Sequence, residues 1–111
     1  MDFSKSPNVV GTLSAPQRNL MGRSLILNGH VDVVPVGSLS QWTHPPFSGH
    51  YDSKSDKLYG RGITDMKAGL FACILALKLV SESLKLSGDF LAGDVIVQSV
   101  VEEGNNPIGA K

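Results

Sequence analysis

The feature that most constrains this chain is a change of period. Between residues 24 and 101 the apolar residues run unbroken, then recur at helical spacing, then run unbroken again. SLIL opens a segment, Ser24 to Val34, that reads as a strand covered on both faces, the pattern of a parallel-type sheet. Pro35 ends it, because proline cannot donate to a ladder. From Thr64 to about Leu84, the residues Met66, Leu70, Cys73, Ile74, Leu77 and Val80 recur three or four apart and predict one apolar stripe on a helix. Thr64 or Asp65 stands where its N-cap belongs. Lys78 and Lys85 lie toward the end where the helix dipole favours cations, and Gly88 breaks the pattern. GDVIVQSVV, residues 93 to 101, is a second buried-type strand. The order strand, loop, helix, strand predicts an α/β fold, with ligand sites at the carboxyl ends of its strands.

The rest is less patterned. Residues 1 to 23 are mostly polar, with one short extended piece at Asn8 to Gly11. Residues 36 to 56 read as a long connection anchored by Trp42 and Phe47, and KLYGRG at 57 to 62 as a short strand ending in a glycine turn. Net charge is zero, and Lys54, Lys57 and Arg61 are scattered, which argues against a nucleic-acid or membrane surface. No apolar run approaches the roughly 20 residues of a spanning helix. The first residues, MDFSKSPNVVG, lack the charged-then-apolar pattern of a signal peptide. The single cysteine, Cys73, rules out an internal disulfide and sits among apolar neighbours, so it reads as core in a cytoplasmic protein.

Four acidic or imidazole side chains fall at strand ends: His30 and Asp32 after the first strand, Glu102 and Glu103 after the second. Singly, each has a plain explanation. His30 and Asp32 suit a hydrogen-bonded strand exit, Asp65 a helix cap, and the glutamates a solvated strand end. Together they form a set of one imidazole and several carboxylates that suits zinc, cobalt or manganese, with imidazole favouring zinc. His30 and Asp32 share a face of an extended strand, so the Asp32 carboxylate is expected to fix the His30 tautomer. Of the adjacent glutamates, one is free to ligate and the other to take a proton from water.

The stretches NGHVDVVP, WTHPPFSG, LYGRGITDMKAG and VIVQSVVEEG resemble the M20 zinc peptidases, a family that includes acetylornithine deacetylase, succinyl-diaminopimelate desuccinylase, aminoacylase and carboxypeptidase G. The resemblance runs from about Asn8 to Gly104. It implies that His30 ligates one zinc, Asp65 bridges two and Glu103 ligates the second. Asp32 is then the partner of the histidine, and Glu102 the general base. It further implies a mixed, mainly parallel sheet with flanking helices, a small N-acyl amino acid or peptide substrate, and a homodimer in the full-length enzyme.

The chain also departs from that family. Members usually begin some tens of residues earlier and continue for a few hundred beyond the glutamate pair, through a further aspartate ligand, a histidine ligand and a dimerisation domain. They commonly carry a third acidic residue where Val101 stands here. Residues 1–111 are therefore expected to be a partial catalytic domain without the dimerisation domain, inactive alone, with sheet strands built on LIL and VIV left as open edges. His44 is expected to be structural. The competing expectation is a non-catalytic remnant that binds metal weakly or serves as an interaction piece.

Overall fold

The computed structural model describes residues 7–16 and 22–101. Five strands, β1 (Val9–Leu13), β2 (Leu25–His30), β3 (His50–Asp52), β4 (Lys57–Tyr59) and β5 (Val95–Val100), accompany one long helix, α1 (Ala68–Ser87). β5 is the centre of a three-stranded sheet, antiparallel to β1 and parallel to β2. The fold is thus α/β with a mixed sheet. β5 takes the central place because Val95, Ile96, Val97 and Val100 offer β-branched side chains to both faces. Asp94 ties its two neighbours together at its start: its carbonyl accepts from the Leu25 amide, and its carboxylate from the Ala15 amide. The expectation that VIV would be an open edge is corrected here, since β5 is paired on both sides. LIL, within β2, does lie at an edge of the described sheet, with Leu25 and Ile26 exposed.

β2 is shorter than the sequence suggests. The Val31 amide still donates to the Val100 carbonyl, but the chain then leaves the ladder, three residues before the anticipated end at Val34. Helix α1 begins four residues later than its apolar period implies. Residues Ile63–Lys67 form a wide, irregular turn, closed by the Lys67 amide on the Gly62 carbonyl and with Asp65 in extended geometry. The cap position falls on Lys67 with no side-chain cap, so neither Thr64 nor Asp65 plays that part. The end of the helix follows expectation: Gly88 adopts φ 76° and returns its amide to the Leu84 carbonyl.

Helix α1 packs on β2 and β5. Leu70 is buried, and Cys73, Leu77 and Leu84 are half-buried on the inward side; Ile74 and Val80, placed in the stripe by sequence, are exposed on its flanks. The connection from 36 to 56 holds β3, which pairs with β4 as a separate hairpin that the sequence reading missed.

Candidate metal centre

The site lies where β2 ends and α1 begins. Gly29 permits this meeting. A Cβ at residue 29 would stand 3.1 Å from Leu70 Cβ and 3.2 Å from Met66 Cε, tighter than ordinary packing. With only hydrogen there, α1 closes against β2; His30, the next residue, is 8 % exposed. On the other wall Gly62 has φ 79°, a conformation costly for any side chain. A Cβ there would collide with Val33 Cγ1 and approach Lys67 Nζ to 2.8 Å. Lys67 donates through Nζ to the Val31 carbonyl at 2.7 Å, tying the irregular turn to the exit of β2.

This arrangement brings three of the five sequence-identified residues together. His30 Nδ1 donates to the Asp32 backbone carbonyl at 3.0 Å. The Asp32 carboxylate oxygen Oδ1 stands 3.4 Å from the same nitrogen, buried and without a hydrogen bond. The partner is therefore Asp32, but its main chain makes the hydrogen bond, where the carboxylate was expected to. The reason is the early end of β2: in a continuing strand the carbonyl two residues on could not fold back onto the ring. At the opposite ring nitrogen, Nε2 lies 3.1 Å from Asp65 Oδ1. Asp65 reaches it from an extended, non-helical backbone, which turns its carboxylate toward β2 and away from the first amides of α1. The Asp65–Met66 peptide bond is cis. Glu102 and Glu103 lie outside the described residues.

The electrostatics of the histidine are specific. A neutral imidazole has one N–H to give. The Asp32 carbonyl takes it at Nδ1, which leaves the lone pair of Nε2 directed at a carboxylate oxygen. Two acceptors at 3.1 Å repel unless a cation, a proton or a metal ion, lies between them. Asp65 is 87 % exposed, so its second oxygen is accessible from solvent. Among the described residues no group of three or more His, Cys, Asp and Glu side chains closes around a single point. The pair opens into a cleft of about 260 Å³ whose lining also includes Val33, Arg61 and Thr64. Arg61 was read from sequence only as a scattered loop cation; its position between two glycines that turn the chain was the available signal. Among the described residues no helix is long and apolar enough to cross a membrane.

Comparison with known proteins bears on the same segments. The chain is 43 % identical over 103 residues to the N-formyl-4-amino-5-aminomethyl-2-methylpyrimidine deformylase of Bacillus subtilis (strain 168), covering 92 % of this chain and 24 % of that protein. It is 52 % identical over 62 residues to a probable succinyl-diaminopimelate desuccinylase of Staphylococcus aureus (strain MRSA252), 56 % of this chain and 15 % of that protein. A succinyl-diaminopimelate desuccinylase of Ehrlichia ruminantium (strain Gardel) is 36 % identical over 120 residues, 97 % of this chain and 31 % of that protein. The chain thus spans about a quarter of the length of such curated relatives. Residues 26–111, which include the cleft, β5 and all of β2 but its first residue, match the sequence profile of peptidase family M20/M25/M40, and the chain belongs to that family.

Proposed function

We propose that this chain supplies part of the metal-binding apparatus of a zinc-dependent amidohydrolase that cleaves N-acyl amino acids or short peptides. The observation that carries the reading is the facing of His30 Nε2 and Asp65 Oδ1 at 3.1 Å, with Nδ1 already committed to the Asp32 carbonyl. That separation is close to the roughly 3.3 Å kept by two donors on one tetrahedral zinc. The donor set fits the ion: a neutral imidazole oriented by its other nitrogen, and a carboxylate with a second, accessible oxygen. His30 and Asp65 would hold one ion, and Asp65 and Glu103 a second. When bound, zinc supplies Lewis acidity toward the amide carbonyl and makes water acidic enough for use near neutral pH.

The remaining steps belong to the chain. Asp32 keeps the His30 ring in one tautomer and one orientation. His30 is itself buried, which keeps bulk water from its ring. Glu102 accepts the proton of the attacking water and returns it to the departing nitrogen. Turnover needs ligands beyond His30, Asp65 and Glu103, since two four-coordinate sites require more than three donors. The 111 residues alone are expected to capture metal without turning over. The same reading assigns the longer enzyme a homodimeric, cytoplasmic state, and cobalt or manganese as ions able to replace zinc.

The test is zinc titration of the chelator-stripped chain, followed by calorimetry. Binding should weaken by at least about tenfold in His30→Ala and in Asp65→Asn, and change less in Asp32→Ala, which keeps the main-chain carbonyl that orients the ring. Zinc affinity unchanged in His30→Ala would remove the basis of the reading.

A further inference from the structure

Both carboxylates of the cleft are turned toward the same histidine, Asp32 at 3.4 Å and Asp65 at 3.1 Å. That leaves Arg61, which lines the same cleft, with no carboxylate within ion-pair distance among the described residues. Its guanidinium lies over the Trp42 ring, 4.9 Å from the centroid, and its buried Nε has no hydrogen-bond partner. A guanidinium stays charged at any accessible pH, and a buried N–H without an acceptor is costly. The part of Arg61 that lines the cleft offers its charge to an arriving anion.

The geometry around Arg61 is built, not incidental. Its backbone amide donates to the Pro46 carbonyl at 2.7 Å. Gly62, next in the chain, is locked at φ 79° against Val33 and Lys67. Trp42, the surface on which the guanidinium rests, is itself held by its indole N–H donating to the Val36 carbonyl at 2.9 Å. The contact with the aromatic ring holds the guanidinium in place beside the cleft. A carboxylate matches the guanidinium fork with two parallel hydrogen bonds.

We propose that Arg61, stacked on Trp42 in the cleft that holds His30 and Asp65, is a substrate-binding residue that receives a carboxylate of the amide substrate. This rests on the amidohydrolase reading for the ligand being an amide; the anion-binding step requires neither metal nor turnover. The carboxylate has two possible sources, the acyl side or the amine side of the scissile bond. Each has a simple probe, succinamate for the first and N-acetylglycine for the second.

The chain carries one tryptophan, so its emission reports directly on the Arg61 stack. The experiment titrates the metal-stripped full chain with each probe and with the neutral N-acetylglycinamide, following Trp42 fluorescence. At least one carboxylate should give a saturable change that the neutral amide does not, and the tighter of the two identifies the side. Arg61→Gln should abolish the change, and Arg61→Lys, which keeps the charge but not the fork, should weaken it by at least about tenfold. If Arg61→Gln fails to fold, by far-UV circular dichroism, the lysine variant and the discrimination between charged and neutral amides in the natural chain decide alone. An equal response to the neutral amide, undiminished affinity in a folded Arg61→Gln, or no response to either carboxylate would overturn the proposal. Because zinc is absent throughout, each of these outcomes is separate from the fate of the metal reading.

Discussion

The cleft and the β3–β4 hairpin are neighbours built on opposite plans. The hairpin is local: Tyr51 donates to Asp56 five residues on, and Asp52 accepts from the Lys54 amide and the Ser55 hydroxyl two and three residues on. Its ring contacts join His50 to Tyr59 across the pair, with His44 stacked on His50 at 3.7 Å. The cleft is assembled from afar. His30 meets Asp65 across 35 residues, and Lys67 meets Val31 across 36. A local unit recovers its contacts whenever its turn forms, whereas a non-local one depends on β2, β5 and α1 being in place together. The candidate site therefore sits on the part most sensitive to distant change.

The largest expected break of that contrast is at Gly62. Gly62→Val adds a side chain at positive φ and pushes it into Val33 and Lys67. Strain and overpacking together should cost about 3 kcal/mol or more. Urea unfolding followed by Trp42 emission should show the loss, and zinc capture should vanish with it. The hairpin amide resonances should keep their positions wherever the chain is still folded. A uniform collapse of hairpin and cleft at the same urea concentration would deny the two regions their independence.

Next in size is the distinction between the adjacent glutamates in a full-length enzyme. A general base contributes about 10²- to 10⁴-fold to rate, whereas a ligand mainly holds its ion. Glu102→Ala should leave metal content near that of the natural enzyme while kcat falls by about two decades or more. Glu103→Ala should shed metal from one site along with activity. Metal analysis of both purified variants beside hydrolysis of an N-acetyl amino acid decides it; metal lost from Glu102→Ala and retained in Glu103→Ala reverses the roles.

Gly29→Ala is a smaller perturbation of the same wall. The new methyl meets Leu70 Cβ at 3.1 Å, so α1 must shift by a few tenths of an ångström or Leu70 and Met66 must adjust. About 1–2 kcal/mol should be lost, and zinc affinity should fall in proportion as His30 and Asp65 separate. Stability lost with zinc affinity unchanged would show that the pair tolerates movement of the helix.

How much of this was legible follows the same division between local and distant. Strands β2 and β5 and the end of α1 at Gly88 show in the sequence because apolar runs and a glycine stop are local signals. His30, Asp32 and Asp65 could be singled out because, ordinary one by one, they form together a donor set suited to a metal, in stretches that resemble a known family. What periodicity could not register is the turn Ile63–Lys67. Met66 and Leu70 keep helical spacing, yet the backbone at Asp65 is extended, because the contact with His30 comes from another part of the chain. The same blindness hid the use of the Asp32 carbonyl and the flanking position of Ile74 and Val80. β3 escaped for another reason: a three-residue strand, HYD, is too short to show an alternation. Arg61 looked ordinary because the ring it rests on is 19 positions away in the chain.

The smallest effects expected are those of pH on the hairpin, and they sharpen the comparison most cleanly. Hydrogen bonds from the Ser55 hydroxyl, and then from the Lys54 amide, hold the Asp52 carboxyl below its ordinary value of 3.8. Because the folded state favours the ionised form, its contribution is present above that value and is lost as pH falls through the lowered one. Tyr51 runs the other way. Its hydroxyl donates to Asp56 at 2.7 Å, and that bond raises it above its ordinary value of 10.0. Its contribution is present below pH 10.0 and is lost as pH rises through the raised value. The hairpin should therefore loosen at both extremes, which amide chemical shifts across β3 and β4 would follow. Asp52→Asn should remove the acid limb alone, and Tyr51→Phe the alkaline limb alone. Tyr51 is exposed and Asp52 only half-buried, so each limb should be shallow. The resonances of Gly29, Val31 and Lys67 should not move with either limb. If they shift in step with the hairpin, the two regions are coupled through Arg61 and Trp42, and the contrast drawn between them fails at that contact.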